Sequence, residues 1–561
     1  MAASVTALHP PRTGPSALRR ARIVAPVSAI ARLQVSRDVV VTSWLVFVLN
    51  LGMAWVVVFR LNIFVTDAMS RALHAWQVFF ANDPKLTSIG FIWAPLPTLL
   101  QLPLVLFPPL RFNGLSGNLV TAFMGAFTAA GVLVTLESLG VSRRTRLMLV
   151  ALFALNPMML FYAGNGMSEM TSTAFTVWSI AFLVRWANSG WHFFWLIMSS
   201  FSLGLACLSR YDSLIQAALM VLVVPYLRGE ERLRPSERQA LTLAYIAPIG
   251  AAFGLWILMN WLIMGDPIYF ARGDYSNAAQ IGYQMALLPE IARMAGNPVA
   301  IAGFLGHQIS LLFPLFTLSL AVLALYALRA PRERRLAVTL VVLALTFPAF
   351  QALNFFAAQS AAFLRYFILA IPFGVMLVGA LLALAPRGLR HVATALTLLL
   401  VIASNISTGV TMYTSTEWGQ WNDIVIRDVL NGTSENTWAV ERQIADYLTA
   451  NHVGRDILVD DFQGYRIVFF TGRPEWFVAT GDQDFDATLR DPVGRVRYML
   501  VSSTKLEGAL NKVNIVYPTL YERGAPWARL EQDWSSGDPM GSTWRLYRIL
   551  DTPPGQEEPA P

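Results

Sequence analysis

Long apolar runs separated by short polar stretches recur along most of the chain. A helix needs about 20 consecutive apolar residues to cross the ~30 Å hydrocarbon core of a bilayer. One additional run, 95–110, is short and interrupted by prolines, which favours a helix lying at the membrane interface or dipping into it. We therefore predict an α-helical polytopic membrane protein with about eleven transmembrane helices, at 43–61, 117–138, 147–163, 170–186, 191–208, 211–227, 241–264, 301–328, 336–356, 364–385 and 392–409.

The basic residues between these runs indicate how the chain is oriented. Lys and Arg accumulate in cytoplasmic loops, and six basic segments fall on one side when 95–110 is not counted as a span. We therefore predict a multi-pass inner (plasma) membrane protein with a cytoplasmic N-terminus. Its predicted parts are an Arg-rich cytoplasmic tail at 1–42, a transmembrane module at 43–409 with an external loop at 62–116, and an extracytoplasmic domain at 410–561.

Composition agrees with a membrane protein. Hydrophobic residues make up 55% of the chain and charged residues only 14%, where a soluble domain has about 25% charged residues. The net charge of +7 is explained by the cytoplasmic loops, so it does not indicate nucleic-acid binding. The single cysteine, Cys207, excludes an intrachain disulfide.

Residues 410–561 have the polarity of a soluble domain. Strands are predicted at 456–461, 465–470 and 495–503, and a helix at 435–452, which together indicate a small α/β domain. The segment 481–491 carries aspartates at alternate positions, as a calcium loop does. Its sixth position is alanine where such a loop needs glycine, so a solvated turn is the favoured interpretation.

The outer ends of the predicted spans carry an unusual set of side chains. Ionisable groups at membrane depth are costly and usually functional. A carboxylate can act as a general base, arginine binds phosphate with two parallel donors, and aromatic faces suit a sugar ring. This combination favours transfer of a sugar from a lipid phosphate. The set comprises Asp67, Glu169, Asp212 and Asp274, Arg71, Arg210, Arg272 and Arg365, and Trp93, Tyr211, Tyr275 and Tyr366.

Four segments resemble one known superfamily: VTDAMSRALHAWQ (65–77), GFIWAPLPTLLQLP (90–103), NPMMLFYAGNGMSEM (156–170) and FLRYFILAIP (363–372). They are similar to GT-C glycosyltransferases that use polyprenyl-phosphate sugars, in particular the protein O-mannosyltransferases and the lipid A aminoarabinose transferases. The resemblance covers most of residues 40–385 in order and architecture.

The resemblance implies roles for particular residues. Asp67 matches the catalytic base, Glu169 matches a second acidic position, and Arg365 with Tyr366 matches an Arg–aromatic pair near the lipid phosphate. Two departures leave the sugar and the metal requirement open: Asp67 is followed by Ala68 instead of a second acid, and many relatives have Asp at the position of Glu169.

Each candidate also has a purely structural interpretation. Asp67 could cap a helix whose residues Met69, Leu73, Trp76 and Phe80 recur at helical spacing, as in an interfacial amphipathic helix. Arg71 and His74 share its polar face, where they could meet lipid headgroups or the substrate.

The remaining candidates are open in the same way. Glu169 suits a helix N-terminus without any further role, and Arg210 with Asp212 could be a local pair at a helix start. Arg272 and Asp274 lie in a long loop where solvated charge is the default, although loops often carry function.

The predicted function is transfer of a hexosyl or pentosyl group from a polyprenyl-phosphate donor to a hydroxyl of a glycan, lipid or protein on the outer face, with inversion. No essential metal or other cofactor is predicted, since the membrane part lacks an Asp-x-Asp pair, although a divalent metal stays open. The alternative is a lipid or sugar transporter or translocase. It predicts paired charges near mid-bilayer, broken helices and internal repeats, and the sequence shows none of these clearly.

Overall fold

The computed structural model of the 561-residue chain describes residues 36–228, 233–281, 293–329, 334–360, 362–414, 422–432, 438–451, 454, 456–534 and 543–551. Most of the predicted cytoplasmic tail, residues 1–35, lies outside the described residues. The N-terminal two thirds is helical, and a small mixed sheet follows it.

The helices of the predicted transmembrane module begin with α1, which continues into a π-helical turn at Val56–Arg60. A 3₁₀ turn at Leu364–Phe367 precedes α18. The α-helices of this module are α1 Arg37–Trp55, α2 Thr66–Phe80, α3 Leu96–Leu99, α4 Leu102–Val105, α5 Pro108–Arg111, α6 Leu115–Ser138, α7 Arg143–Ala154, α8 Pro157–Gly164, α9 Ser168–Asn188, α10 Phe193–Cys207, α11 Ser213–Arg228, α12 Pro235–Met264, α13 Tyr269–Arg272, α14 Pro298–Leu312, α15 Leu315–Arg329, α16 Arg334–Ala344, α17 Thr346–Phe356, α18 Ala370–Leu384 and α19 Arg390–Thr414.

This helical part confirms a multi-span membrane protein. Each of the eleven predicted runs coincides with a helix or a bent helix pair. Six helical stretches in the described residues are long and apolar enough to cross a bilayer, or up to eight if each of two bent pairs is one span. Helices α10 and α11 are apolar but shorter. The total of eleven spans therefore stays a prediction.

Proline breaks two of the predicted spans. The run 147–163 is bent by 62° between α7 and α8, and the run 301–328 is bent by 110° between α14 and α15. Pro157 starts α8, and Pro314 follows Phe313, whose φ of −148° is not helical. Proline lacks an N–H and disfavours a helical residue before it, so neither run continues as one straight helix.

The proline-rich run 95–110 forms three four-residue helices, α3, α4 and α5. None could cross a membrane. Gln101 in this run is 1% exposed, and its Oε1 accepts a hydrogen bond from Ser116 Oγ of α6 at 2.9 Å. This hydrogen bond connects the run to α6.

The C-terminal part is a five-stranded mixed sheet with helices against it. The strand order is β2-β1-β3-β5-β4, with β1 parallel to β2 and β3, and β5 antiparallel to β3 and β4. Its elements are α20 Asn422–Asn431, α21 Ala439–Ala450, β1 Ile457–Leu458, α22 Asp461–Thr471, β2 Phe477–Val478, α23 Phe485–Arg490, β3 Tyr498–Ser502, α24 Lys512–Val516, α25 Leu520–Arg523, β4 Ala528–Trp534 and β5 Trp544–Ile549.

The small α/β layer is confirmed, with one error in its elements. The predicted strands at 456–461 and 495–503 contain β1 and β3, and the predicted helix contains α21. The strand predicted at 465–470 is wrong, because these residues lie inside α22. Asp460 caps this helix by accepting a hydrogen bond from Phe462 N at 2.8 Å, and Gly472 ends it at a φ of 66°.

Helix α2 joins the two parts of the molecule. Met69, Leu73 and Trp76 are at most 3% exposed and belong to one apolar cluster with Leu448 and Phe469 of the C-terminal part. The amphipathic spacing of α2 is therefore confirmed, but its apolar face packs against protein. This differs from the interfacial amphipathic helix that the spacing suggested.

Candidate active site

Asp67 lies in the first turn of α2 and is part of an ion pair. The N-cap residue is Val65, so the interpretation of Asp67 as the cap is wrong. Its Oδ2 lies 3.1 Å from Arg365 Nη1, and Thr66 Oγ1 donates to its Oδ1 at 3.4 Å. The Asp67 side chain is 36% exposed and that of Arg365 only 10%, so the carboxylate is the more accessible member of the pair.

Arg365 continues into a line of alternating charges. Its Nε lies 3.5 Å from Glu169 Oε1, which also accepts from Arg210 Nη1 at 2.7 Å. Arg210 Nε in turn donates to Asp212 Oδ2 at 3.1 Å. We call these five residues, Asp67, Arg365, Glu169, Arg210 and Asp212, the charge chain.

The charge chain is assembled from distant parts of the sequence. Glu169 lies in the first turn of α9, as expected for a carboxylate near a helix N-terminus, and its side chain is 1% exposed. Arg210 and Asp212 lie between α10 and α11, where they form the expected local pair. Arg365 comes from the 3₁₀ turn before α18.

Aromatic and sulfur atoms enclose the two guanidinium groups. The Tyr366 ring centroid lies 5.6 Å from Arg365 Cζ and 5.7 Å from Arg210 Cζ. Phe363 lies 5.2 Å from Arg365 Cζ, and Arg365 Nη1 is 3.9 Å from Met167 Sδ. Weakly hydrated guanidinium groups tolerate such surroundings better than ammonium groups do, which suits arginine to this site.

Two carboxylate oxygens of the charge chain have no hydrogen-bond partner among the described residues. They are Glu169 Oε2 and Asp212 Oδ1, and both are buried. Buried polar atoms without partners are uncommon and call for an explanation, such as a bound ligand. Within the described ranges, no group of three or more His, Cys, Asp or Glu side chains is arranged to hold a metal ion.

Arg71 of α2 contacts the segment that follows this helix, and His74 lies one turn further along α2. Arg71 Nη1 donates to the Ala94 carbonyl oxygen at 3.1 Å, and its Cζ lies 4.7 Å from the Trp93 ring centroid. Burial lowers the pKa of His74 to about 4, so its ring is neutral at pH 7. Arg71 is only 5% exposed, which disagrees with a headgroup-facing role in solvent; His74 lines the cavity described below.

Arg272 and Asp274 lie apart from the charge chain. Arg272 is exposed at the end of α13, and Asp274 Oδ2 lies 3.5 Å from Lys512 Nζ of the C-terminal part. The structure therefore connects Asp274 to the C-terminal part through Lys512.

A cavity of about 1410 Å³ opens beside the charge chain. Asp67, Arg365 and Tyr366 line it from the transmembrane module. Asp461, Phe462 and other residues of the C-terminal part line the opposite side. This volume exceeds the ~300–1,000 Å³ of an ordinary small-molecule pocket, so it can hold two substrates together.

Sequence reasoning missed the C-terminal side of the cavity. Asp460 and Asp461 lie one residue beyond the end of β1, and ligands of α/β layers commonly bind beyond the carboxyl ends of parallel strands. Two acids at the end of the apolar run at 457–459 were a usable signal. They were treated only as the end of a predicted strand.

Asp460 connects residues on this side of the cavity by hydrogen bonds. Its Oδ2 accepts hydrogen bonds from the Tyr275 hydroxyl at 2.9 Å and from Lys512 N at 2.5 Å. Burial raises the pKa of Asp460 above its usual range, and burial with the neighbouring Asp460 charge raises the pKa of Asp461 to about 8. The raised pKa favours the protonated form of Asp461, which can donate a hydrogen bond.

Part of the chain matches a known protein family. Residues 111–236 match the family model described as dolichyl-phosphate-mannose-protein mannosyltransferase. That stretch contains Glu169, Arg210 and Asp212, but not Asp67 or Arg365. A search of curated protein sequences finds no match.

Solved structures share the fold. ArnT from Cupriavidus metallidurans in the apo state is 15% identical, with 91% of this chain and 99% of that chain covered and a TM-score of 0.52. The same protein bound to undecaprenyl phosphate is 16% identical, with 95% and 100% covered and a TM-score of 0.50. At these identities the likeness shows the fold alone. The expected resemblance to the GT-C glycosyltransferases is confirmed, and the transporter alternative gains no support.

Proposed function

We propose that the protein is an integral-membrane glycosyltransferase that moves one sugar from a polyprenyl-phosphate donor to an acceptor hydroxyl on the outer face of the membrane. The observation that supports this most strongly is the Asp67–Arg365 pair, 3.1 Å apart at the edge of a cavity of about 1410 Å³. The family-model match and the fold shared with ArnT point to the same class of reaction.

The donor phosphate would bind at Arg365, with Arg210 beside it. In the structure, Arg365 is paired with both Asp67 and Glu169. The phosphodiester of the donor, like a carboxylate, has one negative charge and two non-bridging oxygens, so it can take the place of Asp67 at the guanidinium; the phosphate gains a second charge and a third such oxygen when its bond to the sugar breaks. Glu169, buried and held by Arg210, keeps Arg365 in place during this exchange.

Asp67 would then serve as the general base. Once phosphate occupies Arg365, the Asp67 carboxylate is free to accept the proton of the acceptor hydroxyl. The hydroxyl oxygen forms a bond to the anomeric carbon, the bond from that carbon to the phosphate oxygen breaks, and its electron pair stays on the phosphate. Attack opposite the phosphate inverts the anomeric centre.

Arg365 and Arg210 would stabilise the leaving phosphate. Negative charge accumulates on the phosphate oxygens as the bond breaks, and fixed guanidinium groups beside them lower the barrier. Because the leaving group is a stable anion, the reaction does not call for an essential metal. Adding a chelator tests this point, and transfer is expected to continue.

The finer assignments belong to the same proposal. The transferred group is a hexosyl or pentosyl residue, and the departures at Ala68 and Glu169 leave its identity open. Residues 1–42 form the cytoplasmic tail, 43–409 the inner-membrane module with its external loop at 62–116, and 410–561 the extracytoplasmic domain. Positive charge between the predicted spans supports this orientation.

The test is sugar transfer from synthetic polyprenyl-phosphate donors by the purified full chain and by Asp67→Asn. We expect wild type to form an inverted glycosidic bond and the variant to be slower by on the order of 10²–10⁴-fold, the usual contribution of a general base. A matched control is Asp491→Asn, because the Asp491 side chain is 72% exposed. Full activity of a folded Asp67→Asn protein would show that Asp67 is not the general base. Donor translocation without transfer would favour the transporter alternative.

A further inference from the structure

The C-terminal side of the cavity has a regular arrangement of its own. Asp461, Phe462, Tyr465 and Arg466 of α22 all line the cavity. Their i, i+1, i+4 and i+5 spacing puts them on one helix face. Asp67 lines the same cavity, so this face of α22 and the candidate base border one space.

Two aromatic rings form a fixed platform on this side. The Tyr275 and Phe462 rings stack with centroids 4.7 Å apart and planes 11° apart, and both line the cavity. The hydrogen bond from the Tyr275 hydroxyl to Asp460, which is fully buried, holds the ring in place. A rigid aromatic surface beside polar groups favours a flat ligand with one apolar face.

The polar groups around the platform can recognise hydroxyls. Asp461 is partly exposed at the start of α22 and has a carboxyl that can both donate and accept when protonated. Lys512 Nζ lies 5.8 Å from the Tyr275 ring centroid and 4.0 Å from Asp486 Oδ1. A sugar ring has this combination of an apolar face and hydroxyls at its edge.

The charges on this side argue against an anionic acceptor. The described C-terminal residues that line the cavity include five carboxylates, Asp461, Asp482, Asp486, Glu507 and Glu522. They include three basic groups, Arg466, Lys505 and Lys512. Carboxyl groups thus outnumber basic groups, and no excess of positive charge is present among these residues for a phosphorylated acceptor.

The sheet offers little to an extended peptide. Peptides often bind by adding a strand to an exposed sheet edge. The edge strands are β2 and β4, and of these only β2 contributes a residue, Phe477, to the described lining of the cavity. Because β2 has only two residues, it is too short to fix the register of an added peptide strand or to bind that strand tightly.

We infer that Asp461, Phe462 and Tyr275 form an acceptor subsite that binds a neutral glycan, with one sugar ring on the Tyr275–Phe462 platform and its hydroxyls bonded to Asp461. This inference rests on the proposed function and names its acceptor class. The glycan hydroxyl nearest Asp67 is the one that is glycosylated.

The experiment uses the full chain in liposomes with a labelled polyprenyl-phosphate sugar. Three acceptor sets are compared: neutral linear tetrasaccharides of mannose, glucose, galactose and arabinose, uncharged peptides containing Ser and Thr, and a phosphorylated glycolipid. We expect label on a neutral tetrasaccharide. Phe462→Ala is expected to raise the KM for that acceptor by on the order of tenfold while the donor Kd and kcat stay within about twofold.

Two further variants keep the result interpretable. Asp461→Asn preserves shape and is expected to raise the acceptor KM several-fold without unfolding the domain. Trp527→Ala is the matched control, because Trp527 packs on Tyr517 with ring centroids 5.1 Å apart and is not among the described residues that line the cavity. It should leave the acceptor KM unchanged.

The failures of the two proposals can be told apart. Label on the peptide or on the phosphorylated glycolipid alone would overturn the glycan subsite and leave the proposed function standing. An Arg365-dependent binding of donor with no label on any tetrasaccharide would do the same. Absence of both donor binding and donor consumption would contradict the proposed function, and the acceptor subsite with it.

Discussion

The two sides of the cavity differ in how they handle charge. On the transmembrane side, two arginines and three carboxylates alternate along the charge chain, with contacts from 2.7 to 3.5 Å. On the C-terminal side, a stacked aromatic pair lies beside Asp461, whose carboxyl has a pKa raised to about 8. The first side can exchange one anion for another, whereas the second offers shape and hydrogen bonds.

This difference explains why one cavity can serve two substrates. A lipid phosphate gains most where guanidinium groups are already fixed, because the electrostatic reorganisation has been done during folding. A neutral acceptor gains nothing from that site and needs an apolar face instead. The two sides would therefore select donor and acceptor independently.

The first prediction concerns a variant that disrupts the apolar contacts between α2 and the C-terminal part. Trp76 is 2% exposed in the cluster that joins α2 to the C-terminal part, so Trp76→Ala should cost about 3–5 kcal/mol of stability. We expect a lower melting temperature of the full chain and a higher KM for both substrates. Trp44→Ala is the control, since Trp44 is 64% exposed, and an unchanged melting temperature in Trp76→Ala would contradict the packing described here.

The second prediction affects the charged side alone. Arg365→Gln removes the guanidinium at which the donor phosphate would bind, and truncating one partner of a buried hydrogen-bonded charge pair costs about 2–5 kcal/mol. Donor affinity should fall by about 30-fold or more, measured by equilibrium binding of a polyprenyl phosphate. Arg497→Gln, at an 80% exposed side chain, should bind donor normally. Equal donor affinity in Arg365→Gln would show that phosphate binds elsewhere.

Sequence reasoning reached the charged side because each of its residues lies next to a predicted span. Asp67, Glu169, Arg210, Asp212 and Arg365 stand out as ionisable groups at the ends of apolar runs. The sequence could not show which of these residues pair over long distances. The Asp67–Arg365 contact, for example, joins residues almost 300 positions apart in the chain. That contact depends on the packing of the helices between them.

The C-terminal side was harder to predict for a local reason. Within 465–470, the consecutive residues Ile467, Val468 and Phe469 are all at most 3% exposed, so this short stretch shows no helical period of apolar and polar residues. Its β-branched and aromatic residues then indicated a strand. Tertiary burial overrode that preference, and the cavity face of the helix was missed with it.

The third prediction weakens the aromatic side without removing its ring. Tyr275→Phe deletes the hydrogen bond to Asp460, which should cost about 0.5–1.5 kcal/mol. The stacked ring remains, so we expect a rise of a few-fold in acceptor KM and an unchanged donor Kd. A change in donor Kd as large as the change in acceptor KM would show that the two sides are not independent.

The fourth prediction concerns the pH dependence of stability. Burial raises the pKa of Asp461 from 3.8 to about 8, so the folded protein holds a proton that the unfolded chain releases above pH 4. This carboxyl therefore lowers stability as the pH rises from about 4 to about 8. The melting temperature of Asp461→Asn should depend less on pH than that of wild type across this window. Parallel curves would mean that Asp461 titrates normally.

The most direct test of the central claim measures donor affinity and transfer rate together in Asp67→Asn. If Asp67 competes with phosphate for Arg365 and later acts as the base, its removal has opposite effects on the two quantities. The account predicts that Asp67→Asn binds the polyprenyl-phosphate donor more tightly than wild type, while transfer falls by on the order of 10²-fold or more. Weaker donor binding together with a retained transfer rate would contradict it.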